Sequence, residues 1–307
     1  MRPKLPATPT ISVIVATRNR QAALARFLEG ARRLPAEPDW ELIVVDNGSC
    51  DGTRALLASA ADNLPLVAIE ERRRGKSRAL NKALSHARGE LLLFADDDID
   101  PEPLWLTALA RAASDYPDAN VFGGRILVDQ QAVPRWIIDS HNLKTILTTE
   151  QDLGDDIQWF AAGQYPVGPN IAVRRRAIES SGCEWPINLG PGTKIPLGDE
   201  RAFLMQLSSP QARDRLYVAD SIVRHNVVGR ELRIASAAAR CFLGGYAAGL
   251  IDTQHGGKVV LHDLPVTELI WRRFRQSASA AELFCNCARA LGVAAGSVSS
   301  YPRIVYG

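Results

Sequence analysis

The sequence predicts an α/β fold in which a mostly parallel sheet is sandwiched by helices, followed by a helical C-terminal extension. Two observations lead to this class. Short, almost wholly apolar runs alternate with amphipathic runs through the first third of the chain, a pattern typical of parallel strands covered on both faces. The 307 residues are also 46% hydrophobic and 23% charged, which is the composition of a soluble globular protein with an ample core.

The strands and helices of the first third follow one another with short connections. Asp51 is placed to cap the second helix, and Asp46-Asn47-Gly48 is a turn signal that ends the second strand. The predicted strands are residues 11–16, 41–45, 66–69 and 91–95, and the predicted helices are residues 21–33, 51–61 and 77–87.

Polar residues follow three of these strands at the carboxyl edge of the predicted sheet. Thr17-Arg18-Asn19 follows the first strand, Asp46 the second, and Asp96-Asp97-Asp98 the strand at 91–95. Open parallel sheets bind ligands beyond the carboxyl ends of their strands. These three groups are therefore expected to meet in one site.

The acidic triplet Asp96-Asp97-Asp98 is the most informative of the three. Adjacent carboxylates at the end of a buried strand repel one another and carry a desolvation cost unless a cation lies among them. A divalent metal that holds a phosphate-bearing ligand meets this need. The alternative is a solvated turn, or a cap for a helix that begins at Pro101.

The second half of the chain is less regular. Residues 134–164 show no consistent period. Two long helices are predicted at residues 231–251 and 265–291. The other predicted elements are a strand at 121–128, a strand at 167–173 leading into a helix near Arg174, a Gly/Pro-rich loop at 183–197, a helix from Gly198 to Leu207, and a short strand that ends at His225.

Bulk properties exclude several classes of function. A net charge of +2 does not predict a nucleic-acid partner. Five cysteines without a C-x-x-C pair indicate a reducing compartment rather than a disulfide framework. The polar first residues and the lack of a long, purely apolar stretch, residues 234–251 being the closest, predict a cytoplasmic protein.

Known catalytic and nucleotide-binding motifs are mostly missing. Arg74-Gly75-Lys76-Ser77 is similar to the end of a P-loop, but Glu70 stands where that motif requires its first glycine. Its cations could still neutralise phosphate or form a solvated face. No G-x-G-x-x-G follows the first strand, and neither H-E-x-x-H nor G-x-S-x-G occurs.

The motifs that are present resemble the family 2 glycosyltransferases of the GT-A fold. The likeness covers roughly residues 10–230, and its specificity comes from the order and spacing of motifs that are weak singly. It is carried by residues 11–20, 44–49 and 51–53, then by Gly75, Arg78, Asn81, Gly89-Glu90 and residues 94–98.

This resemblance implies an inverting transfer of a sugar from a nucleotide-diphosphate sugar, most often a UDP-sugar, to an acceptor hydroxyl. It implies Mn²⁺ or Mg²⁺ as the cofactor that stabilises the departing diphosphate. Around the donor it places Thr17, Arg18, Asn19, Asp46, Arg78, Asp96 and Asp97, with Asp98, Asp96 and His225 as metal ligands.

A general base is also required, because the acceptor hydroxyl must lose its proton. The family usually carries Glu-Asp after a glycine at the head of a helix, whereas here the order is Gly198-Asp199-Glu200. Glu200 matches the position and Asp199 the usual residue type, so both stay candidates. Helix-start carboxylates can also be purely structural, since the helix dipole favours them.

Domain limits and partners follow from the same likeness. Residues 1–230 are expected to form the catalytic domain, with a nucleotide-binding half at about 10–100 and an acceptor half at about 101–230, and residues 231–307 the extension. The acceptor is a saccharide, a lipid-linked sugar or a small molecule. The basic, aromatic run Trp271 to Arg275 suits peripheral contact with the inner face of a membrane, and a core helix or homodimer helix is the alternative.

Two competing functions stay open. A sugar nucleotidyltransferase shares a similar sheet, but it would carry a glycine-rich basic loop directly after the first strand, where Ala16-Thr17-Arg18-Asn19 stands. A non-catalytic sugar- or polymer-binding protein could use a degenerate version of the same fold. The retention of every acidic element argues against that second alternative.

Overall fold

The computed structural model describes residues 9–208, 213–227, 232–254, 279–299 and 303–306. Its first third confirms the alternation of strands and helices that the sequence predicts. The elements are β1 Ile11–Thr17, α1 Gln21–Ala31, β2 Trp40–Asp46, α2 Thr53–Ala60, β3 Leu66–Glu70, α3 Lys76–Leu84 and β4 Leu91–Ala95.

The remaining two thirds contain shorter elements around two longer ones. They are β5 Ile99–Pro101, α4 Trp105–Asp115, β6 Val121–Val128, α5 Arg135–Ile138, α6 His141–Thr148, β7 Gln158–Trp159, β8 Ile171–Arg174, α7 Arg175–Ser181, α8 Asp199–Leu207, β9 Arg215–His225, α9 Ile234–Gln254 and α10 Ala280–Ser297.

The described strands form one sheet of nine strands in the order β3-β2-β1-β4-β8-β6-β9-β5, with β7 beside β9. The first four strands of this order are parallel throughout, as predicted. Antiparallel pairing begins where β8 joins β4, so the sheet becomes mixed in the second half. The carboxyl ends of β1, β2 and β4 consequently share one edge.

Alternation along the central strands divides the core into two layers. Val13 and Leu42 pack under α1, α2 and α4 on one face. Ile14 and Phe94 pack under α3 and α8 on the other face, where Phe94 meets Phe203 edge-on at 5.5 Å between ring centroids. Helices thus cover both faces, and the predicted α/β class is confirmed.

Three expectations for individual elements are corrected. The helix cap proposed for Asp97 or Asp98 is wrong, because the chain after Asp98 forms β5, which pairs with β9, and α4 begins only at Trp105. The strand that ends at His225 is eleven residues long, since it pairs with β5, β6 and β7. The last helix runs to Ser297, beyond the predicted end at residue 291.

The two C-terminal helices pack backbone to backbone. A Cβ added at Gly245 of α9 would collide with the carbonyl oxygen of Arg289, and one added at Gly292 of α10 with that of Phe242. Gly249 and Gly296 repeat the arrangement one turn later. Only glycine permits such close approach. Residues 265–278 and the run Trp271 to Arg275 lie outside the described residues.

Helix α9 also changes the expectation that no stretch of the chain is long and apolar enough for a membrane span. It has 21 residues and a mean hydropathy of 1.4 over 18 of them, so among the described helices it is long and apolar enough, by length and composition, to cross a membrane. Core helices of soluble proteins meet the same criterion. Here α9 packs on α8: Arg201 forms an ion pair with Asp252 at 2.6 Å, and a Cβ at Gly198 would meet that of Ala247 at 2.8 Å.

Candidate functional site

A cleft opens at the carboxyl edge of β1 and β4, as the strand order requires. It consists of two adjoining cavities. The β1-side cavity, of about 270 Å³, contains Thr17, Arg18 and Asn47, and the α8-side cavity, of about 250 Å³, contains Glu200 and His225. Both are lined by Arg20, Lys76, Asp96, Asp98 and Pro191.

Asp97, the middle carboxylate, is held from the β1 side. Thr17 donates a hydrogen bond to it at 2.6 Å, and Arg20 forms an ion pair with it at 2.9 Å. Burial raises the pKa of Asp97 to about 6, although Arg20 and Thr17 oppose this shift. Both of its oxygens are therefore already engaged by the protein, although Asp97 lines the β1-side cavity together with Asp96 and Asp98.

Asp98 lies between Arg20 and His225. Arg20 forms an ion pair with one carboxylate oxygen, and His225 Nε2 lies 3.4 Å from the other, Oδ1. Burial favours the neutral acid, but the contacts with His225 and Arg20 outweigh it and lower the pKa of Asp98. Oδ1 is buried and has no hydrogen-bond partner. It is therefore an anionic oxygen with a free coordination position.

His225 is oriented by the segment that follows α6. Its Nδ1 lies 2.8 Å from the carbonyl oxygen of Thr148 and 2.9 Å from the hydroxyl of Thr149. An Nδ1–H that donates to Thr148 leaves Nε2 directed at Asp98, as in histidines that ligate metals. Burial lowers the pKa of His225, but the adjacent Asp98 carboxylate more than compensates and raises it.

The donor set fits a divalent metal held jointly with a ligand. Among the residues that the structure describes, no three His, Cys, Asp or Glu side chains converge as a complete metal cluster. Asp98 and His225 do provide one carboxylate oxygen and one imidazole nitrogen. Mg²⁺ and similar ions are commonly bound by one or two protein groups together with phosphate oxygens and water.

Lys76 is a cleft residue whose role the sequence left undecided. Its Nζ donates to Asp96 Oδ1 at 2.6 Å and lies 3.8 Å from Glu200 Oε1, so it joins the acidic triplet to the head of α8. Burial would lower the pKa of Lys76, but Asp96, Glu200 and Asp199 together raise it. Its place as the first residue of α3, directly after Gly75, was the available signal.

The carboxylates at the head of α8 occupy different environments. Asp199 is 4% exposed, and its Oδ2 is buried without a hydrogen-bond partner beside Gly190. The Glu200 side chain is 31% exposed and accepts from the Gly168 amide at 3.3 Å. Burial, opposed by Lys76, raises the pKa of Glu200 to about 7, and burial also raises that of Asp199.

Three predicted donor residues do not line the cleft. Asp46 accepts from the Ser49 amide at 2.8 Å, and Asn19 accepts from the Cys50 amide at 2.8 Å, so both shape the loops beside the cavity. Arg78 lies on α3, outside the lining of both cavities. Sequence reasoning left the lining residue Arg74 undecided, and it missed Arg20, Pro191, Gly192 and Arg240.

The loop before α8 closes one side of the cleft. The Lys76 amide donates to the carbonyl oxygen of Pro191 at 3.0 Å. A Cβ at Gly192 would lie 3.1 Å from the Cα of Gly75, so these two backbones almost touch. This contact joins residues more than a hundred positions apart, so no local sequence pattern predicts it.

Comparison with known proteins places this chain in a family. The family model described as glycosyl transferase family 2 matches residues 12–182, more than half of the chain. The uncharacterized glycosyltransferase YfnE of Bacillus subtilis (strain 168) is 36% identical over 89 residues, which are 29% of this chain and 23% of the relative. The chain thus spans about a quarter of that relative's length.

Two solved structures share the fold over nearly the whole chain. S. aureus TarS 1-349 in complex with UDP has a TM-score of 0.57 at 14% identity, covering 93% of this chain and 90% of TarS 1-349. The mannosyltransferase PcManGT from Pyrobaculum calidifontis, in complex with GDP-Man and Mn²⁺, has a TM-score of 0.54 at 21% identity, covering 98% of this chain and 79% of PcManGT. At these identities the likeness shows the fold alone.

Proposed function

This chain belongs to glycosyltransferase family 2, and we propose that it transfers a sugar, with inversion, from a nucleotide-diphosphate sugar to an acceptor hydroxyl. One observation carries the proposal. The Asp98–His225 pair and the partly exposed Glu200 line a single cleft, in which Lys76 joins Asp96 to Glu200. A leaving diphosphate and an incoming hydroxyl need these two kinds of group on either side of one sugar.

The donor nucleotide is proposed to enter the β1-side cavity. Thr17 and Arg18 line it, and Arg74 and Arg20 add positive charge that suits a diphosphate. On this proposal, three residues outside the lining support the residues that form it: Asp46, Asn19 and Arg78. TarS structures contain UDP or UDP-GlcNAc, and PcManGT contains GDP-Man; these ligands support a nucleotide-sugar donor, with a UDP-sugar as our choice.

Asp98 and His225, with Asp96 as the further carboxylate, are proposed to hold Mn²⁺ or Mg²⁺. Such an ion supplies Lewis-acid stabilisation of the departing nucleoside diphosphate. The orphaned Asp98 Oδ1 supports this assignment, and so does the orientation of His225 by Thr148. Asp97 also lines the β1-side cavity, and we propose that it acts through position, since Thr17 and Arg20 already engage its carboxylate.

Glu200 is proposed as the base that takes the proton from the acceptor hydroxyl. It is the more exposed of the two candidates, and a pKa of about 7 suits proton transfer near neutral pH. The Gly168 amide orients its carboxylate. Asp199, packed against Gly190, is proposed to support the head of α8.

Domain limits and partners stay predictions. We propose a catalytic domain at residues 1–230 and a helical extension at 231–307, acting in the cytoplasm on a saccharide, lipid-linked or small-molecule acceptor. Phe284 and Leu291 of α10 and Val298, the residue directly after it, are exposed at seven-residue intervals. Such a stripe suits either peripheral membrane contact or a homodimer, the two alternatives that the sequence left open.

Thermal shift with a panel of UDP-, GDP- and dTDP-sugars tests the proposal. A donor that binds the native state should raise the melting temperature in the presence of Mn²⁺ or Mg²⁺, and EDTA should remove the effect. Turnover of that donor should require the same ion. Asp98→Asn should abolish both signals, whereas Glu29→Asn, at an exposed carboxylate paired with Arg32, should leave them unchanged.

Specific outcomes decide between the competing functions. Donor binding with neither transfer nor hydrolysis would support a non-catalytic sugar-binding protein. Release of pyrophosphate from a nucleoside triphosphate and a sugar phosphate would support a nucleotidyltransferase. Metal-independent turnover that survives Asp98→Asn would contradict the metal assignment.

A further inference from the structure

A second cavity lies apart from the donor cleft. It has a volume of about 340 Å³, within the range of small-molecule sites, and shares none of its lining residues with the cleft. Its walls come from α6, the segment 150–153, the loop 160–167 and the face of α10 that carries Asn286 and Arg289. The C-terminal helix therefore completes a cavity that the catalytic half only begins.

The cavity contains a buried carboxylate that the fold does not satisfy. Glu150 is 6% exposed, and its Oε2 has no hydrogen-bond partner. Lys144 Nζ lies 3.2 Å from this oxygen as an ion pair but without hydrogen-bond geometry. A buried acceptor left in this state is costly unless a ligand or water donates to it.

Charge restricts the class of ligand. The wall carries two cations, Lys144 and Arg289, and two carboxylates, Glu150 and Asp152, and Asp152 is also paired with Arg125 outside the wall. Lys144 and Glu150 lie 3.2 Å apart and neutralise each other, so this pair attracts neither a phosphate nor an amine strongly. A hydroxyl group is neutral and both donates and accepts, so neighbouring hydroxyls can satisfy Glu150 and Lys144 together.

The remaining wall is apolar enough to pack against a sugar ring. Ile146, Leu153, Phe160 and Val167 line it beside the polar groups. We propose that this cavity is an accessory saccharide-binding site, which takes one or two rings of a neutral, hydroxyl-rich glycan. The proposal goes beyond the transfer reaction and does not depend on it, because binding here needs neither donor nor metal.

The cavity adjoins the catalytic groups through two short segments. Val167 donates to Gln151 at 3.1 Å on the cavity side, while the next amide, Gly168, donates to Glu200 on the cleft side. Thr149 contacts His225, and the next residue, Glu150, faces the cavity. A glycan bound here would therefore lie behind the segments that orient both the base and the proposed metal ligand.

Ligand-observed NMR and calorimetry with the full chain test the proposal, using glucose, mannose, N-acetylglucosamine and cellobiose as probes without nucleotide or metal. At least one probe should bind. Glu150→Gln should weaken it about tenfold or more, because a charged hydrogen-bond acceptor is lost. Thr145→Phe, which fills the cavity from α6, should abolish binding, and Glu29→Gln should leave it unchanged.

Four results would overturn the proposal. One is that no probe binds to the wild-type chain, and another is that binding survives both Glu150→Gln and Thr145→Phe in folded protein. A third is that inorganic phosphate binds and Thr145→Phe removes it, which would make the cavity an anion site. The last is that Asp98→Asn, and not Thr145→Phe, removes saccharide binding, which would place the sugar in the donor cleft. Failure of donor binding alone would leave this site untouched.

Discussion

At the residue scale, Lys76 compensates the carboxylates of Asp96 and Glu200, while Arg20 pairs with Asp97 and Asp98. Lys76 contacts Asp96 directly and lies within 3.8 Å of Glu200, in surroundings that are mostly buried. Without it, these carboxylates would face one another in a medium that screens charge poorly. Lys76 therefore determines how much negative charge the empty cleft can carry.

Replacing Lys76 by Met should impair the reaction through this charge balance. We expect kcat/KM to fall about 10²-fold and the acid limb of its pH profile to move to higher pH, since Glu200 loses the group that lowers its pKa. Lys76→Arg is the matched control and should retain most of the activity. An unchanged pH profile in Lys76→Met would contradict the role given to Lys76.

The two candidate bases can be separated by isosteric substitutions. Glu200→Gln should lower the rate of transfer about 10²-fold or more while donor affinity is retained, because only proton removal is lost. Asp199→Asn should have a smaller effect on the rate. Single-turnover kinetics with a saturating donor measure this difference, and the opposite ranking would assign the base to Asp199.

The raised pKa of Glu200 also predicts a pH dependence. A base must be deprotonated, so kcat/KM should rise with pH through about 7, and Glu200→Gln should flatten this limb. For stability the sign is opposite: the contribution of the raised pKa is complete below 4.5 and is lost as the pH rises through about 7. Melting temperatures across this range, compared with Glu200→Gln, measure that loss.

At the element scale, the pairing of α9 with α10 depends on glycines that bring two backbones together. Gly245 and Gly249 of α9 face the backbone of α10, and Gly292 and Gly296 return the contact. Gly244, next to Gly245, is different, because its added Cβ would meet side-chain atoms at 3.6 and 3.7 Å, an ordinary contact distance. The chain thus offers a natural pair of positions for comparison.

Gly245→Ala should lower the melting temperature, because its methyl group would collide with the Arg289 carbonyl oxygen. Gly244→Ala should leave the melting temperature unchanged or raise it, since alanine favours a helix by about 0.5–1 kcal/mol. Differential scanning calorimetry of the two variants provides the test. Equal effects of the two substitutions would contradict the close packing of α9 and α10.

Elements with a clear local sequence pattern were predicted accurately, and elements without one were not. Strands β4 and β6 agree with the predicted limits, and β1 and β2 differ by one or two residues. For β1, β2 and β4 the reason is that strands buried on both faces are nearly continuous apolar runs. Residues 134–164 gave no period, and the structure shows why: α5, α6 and β7 are only two to eight residues long. Tertiary contacts, rather than amphipathic repeats, stabilise such short elements.

At the scale of the whole molecule, the C-terminal helices are packed against the catalytic half. Arg201 of α8 pairs with Asp252 of α9. Ala247 of α9 lies against Gly198, the residue before α8, which has a φ of +90°. Ala202, Leu250 and residues near them form one shared apolar cluster. A boundary near residue 230 therefore separates segments of sequence that share a core.

This shared core predicts cooperative unfolding. Urea transitions followed by tryptophan fluorescence, which reports mainly on the sheet and its helices, should coincide with those followed by far-UV circular dichroism. Gly245→Ala should move both midpoints together. Two separate transitions, with only the circular dichroism signal shifted by Gly245→Ala, would show that the extension unfolds independently.

The sequence by itself determined the α/β class, the family and the chemical identity of the acidic groups. Those features reside in local patterns, since alternating strands and helices and the run Asp96-Asp97-Asp98 can be recognised without knowing what they touch. The strand order then brings the ends of β1 and β4 to the same edge.

Only the tertiary structure decided which of these groups contact one another and where each of them lies. It turned Asp97 towards Thr17, left Asp98 facing His225, placed Lys76 between the triplet and Glu200, and used α10 to complete a second cavity around Glu150. Each of these contacts joins residues far apart in the chain, and burial then sets their charge states. Sequence patterns are local, whereas desolvation and ion pairing depend on the whole fold.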